Sequence, residues 1–184
     1  LQRLPVVTLD DRLVERRLLR DLARVVRAEC ARPSPLAPRY IEKSIEVGLG
    51  DGLTVSGKVD RIDAEAMFPT HAVVWDYKSG ATITPGARLL AEGRVQLPLY
   101  LRAARDQLGL EPVAGFYRAL RTGAMRGIAD GSRADELPPG LVSTDIVDHG
   151  AFTSLLDEAV ELAAGKAERI RRGDVPHDPI SGSC

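Results

Sequence analysis

The sequence predicts an α/β fold, a central mixed β-sheet flanked by α-helices, and three observations carry that prediction. Two strand-like runs, "RYIEKSIEVGL" (39–49) and "LTVSGKVDRID" (53–63), are joined by "GDG", a strong hairpin signal. A third run, within "VVWDYKSG" (73–80), is rich in β-branched and aromatic residues and marks a strand over 71–78. The order helix, three strands, helix, strand then calls for an antiparallel meander extended by a crossover, with helices covering a mixed sheet.

Each element has its own local reason. "DDRLVERRLLRDLARVVRAEC" (10–30) sets Val14, Leu18, Leu22, Val25 and Val26 at helical spacing, with Asp10 or Asp11 near the N-cap. Arg12, Arg16, Arg20, Arg24 and Arg27 line a different side. "ARPSPLAP" (31–38) is a Pro-rich break before the hairpin. After a turn around Thr84-Pro85-Gly86, residues 87–109 read as helix, with Pro98 a kink or a second helix start. "EPVAGFYRAL" (111–120) is a further strand, the polar, Gly- and Pro-rich 121–140 a loop, 141–147 a short strand and 151–172 a last amphipathic helix. There is no internal repeat and no low-complexity tract.

The length of 184 residues is that of one domain, expected to span 1–184, and 44% hydrophobic with 28% charged residues is ordinary globular composition. A net charge of -1 gives no whole-molecule attraction to nucleic acid, so any polyanion site must come from local clustering. No apolar run approaches the ~18 residues of a membrane span and the start is not a signal peptide, so a cytoplasmic setting without a membrane is expected. Two cysteines, Cys30 and Cys184, make neither a disulfide framework nor a zinc site. The chain begins with Leu and stops within "DPISGSC", which leads us to expect a segment of a larger protein.

The chemistry gathers around "VVWDYKSG". Side chains alternate along a strand, so Asp76 and Lys78 point one way while Trp75 and Tyr77 point the other. An exposed ion pair on a half-buried strand is the plain alternative. Asp60, in "GKVDRID", lies near the end of the preceding strand, where hairpin pairing brings its carboxylate beside Asp76; Asp63 faces the opposite side. Gln96 and Tyr100, four apart in "QLPLY", share one face of the following helix. Two carboxylates in a partly desolvated cleft repel each other unless a cation neutralises them. Mg²⁺ does so with hard oxygen ligands, polarises a phosphoryl group and lowers the pKa of a bound water. A lysine on the same face orients or helps deprotonate that water. Together these parts suit phosphodiester hydrolysis.

"GKVDRID", "VVWDYKSG" and "GRVQLPLY", in that order within 38–120, resemble the PD-(D/E)XK nuclease superfamily, and within it the RecB-like exonuclease branch that includes the nuclease domains of AddA and AddB. The resemblance implies a restriction-endonuclease-like core and a metal-dependent DNA nuclease. Asp60 and Asp76 match its metal ligands for Mg²⁺ or Mn²⁺, Lys78 its catalytic lysine, and Gln96 with Tyr100 its Q-x-x-x-Y helix. "PRYIEKSI" resembles a strand bearing a further acidic residue, Glu42, with Glu46 the competing choice; by alternation both share a face. The implied partners are DNA and a helicase domain or subunit of a helicase–nuclease complex, in DNA end processing or recombinational repair. The rival reading is a catalytically inactive DNA-binding or scaffolding module of such a complex. Arg16 and Arg20 are the candidate contacts to DNA phosphates. Two departures stand out. The histidine that the branch carries on an upstream helix has no counterpart, since His71, His149 and His177 fall elsewhere. Many members hold an iron-sulfur cluster through one upstream cysteine and three near the C-terminus. Cys184 sits where that last group would begin, so a cluster is expected only in a longer, full-length protein; Cys30 is a candidate upstream ligand, with a buried helix-face residue the preferred reading.

Overall fold

Thr8 starts the first helix. Its hydroxyl accepts from Asp11 N–H at 3.2 Å while the Asp11 carboxylate accepts from Thr8 N–H at 2.9 Å, a reciprocal capping box. Helix α1 then runs Leu9–Cys30. The computed structural model describes residues 8–31, 34–80 and 83–175. The helical spacing of α1 is as expected, but its apolar stripe is not buried. Val14, Leu18, Leu22 and Val26 are 46% to 57% exposed, and only Val25 is buried. The helix meets the sheet through its last turns alone. Cys30 is exposed rather than buried, at the open rim of a cavity it shares with Arg61, Asp63 and Trp75.

Strands β1 (Leu36–Gly50) and β2 (Leu53–Glu65) form the expected antiparallel hairpin. Its turn takes Gly50, Asp51 and Gly52 to φ of 89°, 47° and 72°, a left-handed path that glycine permits. Strand β3 (His71–Lys78) pairs antiparallel with β2. The chain then crosses over through α2 (Gln96–Leu108) to β4 (Glu111–Ala119), parallel to β3. The helix expected over 87–109 is shorter. A single 3₁₀ turn at Gly86–Arg88 and a left-handed Gly93 precede it, and Pro98 falls in the first turn of α2, where its missing N–H costs nothing.

The stretch expected to be a loop over 121–140 contains a strand, β5 (Met125–Asp130), antiparallel to β4, followed by a 3₁₀ segment at Gly131–Glu136. Its pattern is masked by Gly127, which packing demands: a Cβ there would lie 2.0 Å from the Gly115 carbonyl oxygen. Gly86 meets β5 as closely, since its Cβ would stand 1.9 Å from Gly127 O. The short strand expected over 141–147 shrinks to β6 (Ile146–Val147), parallel to β5, and α3 (His149–Arg171) starts on an Asp148 cap.

The result is a six-stranded mixed sheet in the order β1-β2-β3-β4-β5-β6, flanked by helices, the architecture expected of a restriction-endonuclease-like core. Helices α2 and α3 cover one face over Ile45, Val59, Ile62, Val74, Leu97, Leu101 and Phe152. On the other, Trp75 and Phe116 meet with ring centroids 5.2 Å apart, with Leu137 and Leu141 packed against them. At about 1.5–3 kcal/mol per large buried side chain, the α2 layer fixes that helix firmly against β4. The start of α2 thereby stands beside the end of β3.

Candidate active site

The β2–β3 ladder stops at the pair Arg61 and Trp75, although both strands continue. Past that point the Tyr77 N–H donates to Asp60 Oδ2 at 2.7 Å, so a side chain takes the place of a backbone acceptor. Extending that register by one step sets Asp60 across from Asp76, whose carboxyl feels the Asp60 charge. Asp76 is 4% exposed, and its Oδ2 meets Lys78 Nζ at 2.6 Å on the shared face. That approach is too steep for a hydrogen bond, so the buried oxygen has charge opposite it but no donor in line. Burial pushes the Asp76 carboxyl up, Lys78 pulls it down, and the neighbouring Asp60 charge pushes it up again; the net direction is up.

Lys78 is held from two further sides. Gln96 Oε1 accepts from Nζ at 2.9 Å, and Gln96 Nε2 donates to the Tyr100 hydroxyl at 2.9 Å, so the amide joins the lysine to the helix. The Tyr100 ring lies on bare backbone: a Cβ at Gly57 would be 3.1 Å from Cε1. Lys78 Nζ also stands 5.0 Å from the ring centre of Tyr117, the β4 residue paired with Asp76. Burial and then the Asp76 charge push the Tyr117 hydroxyl up to about 12. Tyr117 belongs to none of the sequence motifs; its only signal is the parallel β3–β4 register.

Behind this face, Arg61 grips Asp63 through two bonds of 2.6 and 2.7 Å, reaches the Tyr77 hydroxyl at 3.1 Å and pairs with Glu29 of α1. Trp75 Nε1 donates to Asp63 Oδ2 at 3.0 Å. Asp63 thus faces away from Asp76, as expected, and its network ties α1 to the strands that carry Asp60 and Asp76.

Glu42 lies between the pairs Ile41–Arg61 and Lys43–Val59, hence opposite Asp60, and it takes a φ of 51° that a non-glycine residue seldom adopts. Here both strands change phase. Tyr40 and Ile45, three plus two positions apart, pack on the same core, and so do Val59 and Ile62. Lys43 lies against the Tyr40 ring, so the phase change falls at Ile41 and Glu42, and Glu42 and Glu46 differ in their position along β1. Glu42 borders a cavity with Asp60 and Tyr77, whereas Glu46 pairs with Ser56 farther along and donates its N–H to Gln107 Oε1 at 3.2 Å. The Glu42 side chain meets Lys58 at 3.2 Å in an exposed and hence weak ion pair.

Other candidates fall apart from this group. Arg16 and Arg20 are exposed on the part of α1 that makes no buried contact. Cys184 and His177 lie outside the described residues. His149 Nδ1 stands 2.6 Å from Asp130 at the start of α3. Among the described residues, one trio has metal-ligand spacing: Glu65, His71 and Glu136, with ligand atoms all within 4.8 Å of one another. It sits at the opposite end of β3 from Lys78, about 20 Å away at strand rise. The Glu65 oxygens there already accept from Thr70 N–H, Thr70 Oγ1 and His71 N–H. Each place has a buried carboxylate oxygen without a hydrogen-bond partner, Glu136 Oε2 in the trio and Asp76 Oδ2 at the far end of β3, and the second lies among the motif residues Asp60, Lys78 and Gln96. Among the described residues no helix is long and apolar enough to cross a membrane. No curated protein matches the chain. A model of the PD-(D/E)XK nuclease superfamily matches residues 3–184, almost its whole length, and the chain belongs to that superfamily of metal-dependent nucleases.

Proposed function

We propose that the chain is a DNA nuclease domain of the RecB-like exonuclease branch, acting with Mg²⁺ or Mn²⁺ in DNA end processing or recombinational repair. The observation that carries this reading is the buried Asp76 carboxylate, raised by burial and by the neighbouring Asp60 charge and paired with Lys78 at 2.6 Å. Asp60 and Asp76 are the residues to hold the metal, and Glu42, opposite Asp60 in the strand register, is the third acidic group within reach. A bound divalent ion supplies electrophilic activation of the phosphoryl group and a more acidic water. Lys78 carries a proton donor and a positive charge at the same point, held by Asp76, Gln96 and the Tyr117 ring. Gln96 fixes the lysine's direction, and Tyr100 fixes Gln96. Because Lys78 is gripped from three sides, its ammonium needs no reorganisation to meet charge building on a phosphate oxygen. Arg16 and Arg20 supply DNA phosphate contacts away from this centre, and a helicase domain or subunit is the proposed partner. An iron-sulfur cluster through Cys184 belongs to a longer protein.

The test is degradation of end-labelled linear DNA by this chain, and by any longer protein that contains it, with Mg²⁺ or Mn²⁺. Cleavage is expected to stop in excess EDTA and in Asp60→Asn. Cleavage that persists undiminished in both would refute the assignment. DNA binding without metal-dependent cleavage in either protein would leave the inactive scaffolding module as the correct reading.

A further inference from the structure

We propose that the cavity between the end of β3 and the start of α2 seats a backbone phosphate of the nucleic-acid strand adjacent to the one cleaved, with Arg94 as its principal ligand. This rests on the nuclease reading and gives its substrate a direction across the site. The cavity is open, of about 650 Å³, and Lys78, Ser79, Gly80, Thr84, Arg94 and Gln96 border it. Its lining residues include two cations and no carboxylate. The cavity on the other side of the strand ends, of about 540 Å³, is bordered instead by Glu29, Glu42 and Asp60 together with Arg61, which pairs with Glu29. Lys78 thus stands at the flank whose lining is basic, while the other lining carries three carboxylates and one arginine. On a chain of net charge -1, that separation is local design rather than a general field.

Arg94 is prepared for the role. Its Nε bonds Glu92 Oε2 at 3.0 Å, and Glu92 also accepts from Thr84 Oγ1 at 3.1 Å and pairs with Arg88 at 2.8 Å. One carboxylate shared between two arginines leaves the rim net positive while it orients the Arg94 fork. From the opposite side, Lys166 of α3 donates to the Gly93 carbonyl at 3.0 Å and pins the backbone that precedes Arg94. The arginine side chain remains 54% exposed, open to a ligand. Gly80 has nothing within 4 Å of where a Cβ would sit, so a strand backbone can come close to the chain there. A planar guanidinium beside hydroxyl groups and an ammonium suits a phosphodiester.

The test measures fluorescence anisotropy of a labelled single-stranded oligonucleotide in EDTA, at salt from about 50 to 200 mM. Arg94→Ala is expected to weaken binding about tenfold at the lower salt and to reduce the slope of log K against log[salt] by about 0.7, the value of one phosphate contact on a single strand. Arg94→Lys should restore the slope. A slope in Arg94→Ala equal to wild type overturns the proposal, as does absence of wild-type binding at the lower salt. With no divalent metal present, the result is independent of turnover. Loss of slope in a chain that never cleaves DNA would sink the nuclease reading and keep this site, whereas cleavage with an unaltered slope would do the reverse.

Discussion

The two ends of β3 both hold acidic clusters, and they treat their carboxylates in opposite ways. At the start of the strand, Glu65 accepts from Thr70 and His71 through backbone and side chain, and although burial pushes its carboxyl up, those donors hold it down at about 2. His71 Nδ1 lies 2.8 Å from Glu65 and 3.0 Å from Glu136. Glu65 spends its charge on closing the β2–β3 connection, while the neighbouring Glu136 Oε2, from the segment after β5, is buried without a hydrogen-bond partner. At the far end, Asp76 is more deeply buried, its carboxyl is pushed up by burial and by the Asp60 charge, and the only group set against its buried oxygen among the described residues is the Lys78 ammonium. The difference teaches how to tell a structural acid from a functional one on the same strand. A carboxylate saturated by fixed N–H groups stabilises the fold, while one left facing another carboxylate stores a demand for a cation.

Four perturbations break or sharpen this contrast. The largest effect is expected for Asp76→Ala, which should lower DNA cleavage about 10³-fold or more and remove metal binding with it, measured by labelled-DNA assay and calorimetric titration of Mn²⁺. Lys78→Ala should come next, costing about 10²-fold in rate while the Mn²⁺ titration is retained, since the lysine is not among the proposed ligands. Parallel loss of metal binding in that variant would erase the division of labour between Asp76 and Lys78.

At the other end the effect should be on stability alone. Glu65→Gln is expected to cost about 1–3 kcal/mol in urea denaturation, the scale of a charged hydrogen-bond acceptor removed from its donors, and to leave cleavage unchanged. Its sign in pH follows from the lowered carboxyl. The stability that Glu65 contributes is present above its unfolded pKa of about 4.3 and is lost as pH falls from there toward 2, so the variant should show a shallower acid limb than wild type. The smallest effect is that of Asp76→Asn in EDTA. With its carboxyl raised in the folded state, wild type loses stability as pH rises from the unfolded value of about 3.9 through the folded one, and the variant does not. The melting temperature of the variant should therefore gain on wild type as pH is raised above 4 and then level off, about a degree or a few in size. Added Mg²⁺ should stabilise wild type only.

What the sequence determined by itself was whatever depends on periodicity inside one segment. The strand at 71–78 is found as His71–Lys78, the GDG turn closes the predicted hairpin, and the Q-x-x-x-Y spacing sets Gln96 and Tyr100 within one hydrogen bond on α2. Alternation likewise put Asp76 and Lys78 on one face and Asp63 behind it. Tertiary structure decided the rest, because those features depend on which elements meet. β5 is hidden in sequence by Gly127, a residue chosen by a 2.0 Å approach to another strand rather than by strand propensity. The apolar stripe of α1 has the right period, yet the sheet reaches only Val25. Glu42 takes a left-handed conformation, at a phase change in β1 that no alternation rule anticipates. Tyr117 and Arg94 join Lys78 only after the crossover sets β4 and the start of α2 beside β3. Local sequence encodes a segment's conformation and the face on which a side chain lies; the neighbour it meets there is supplied by packing, which sums over the whole chain.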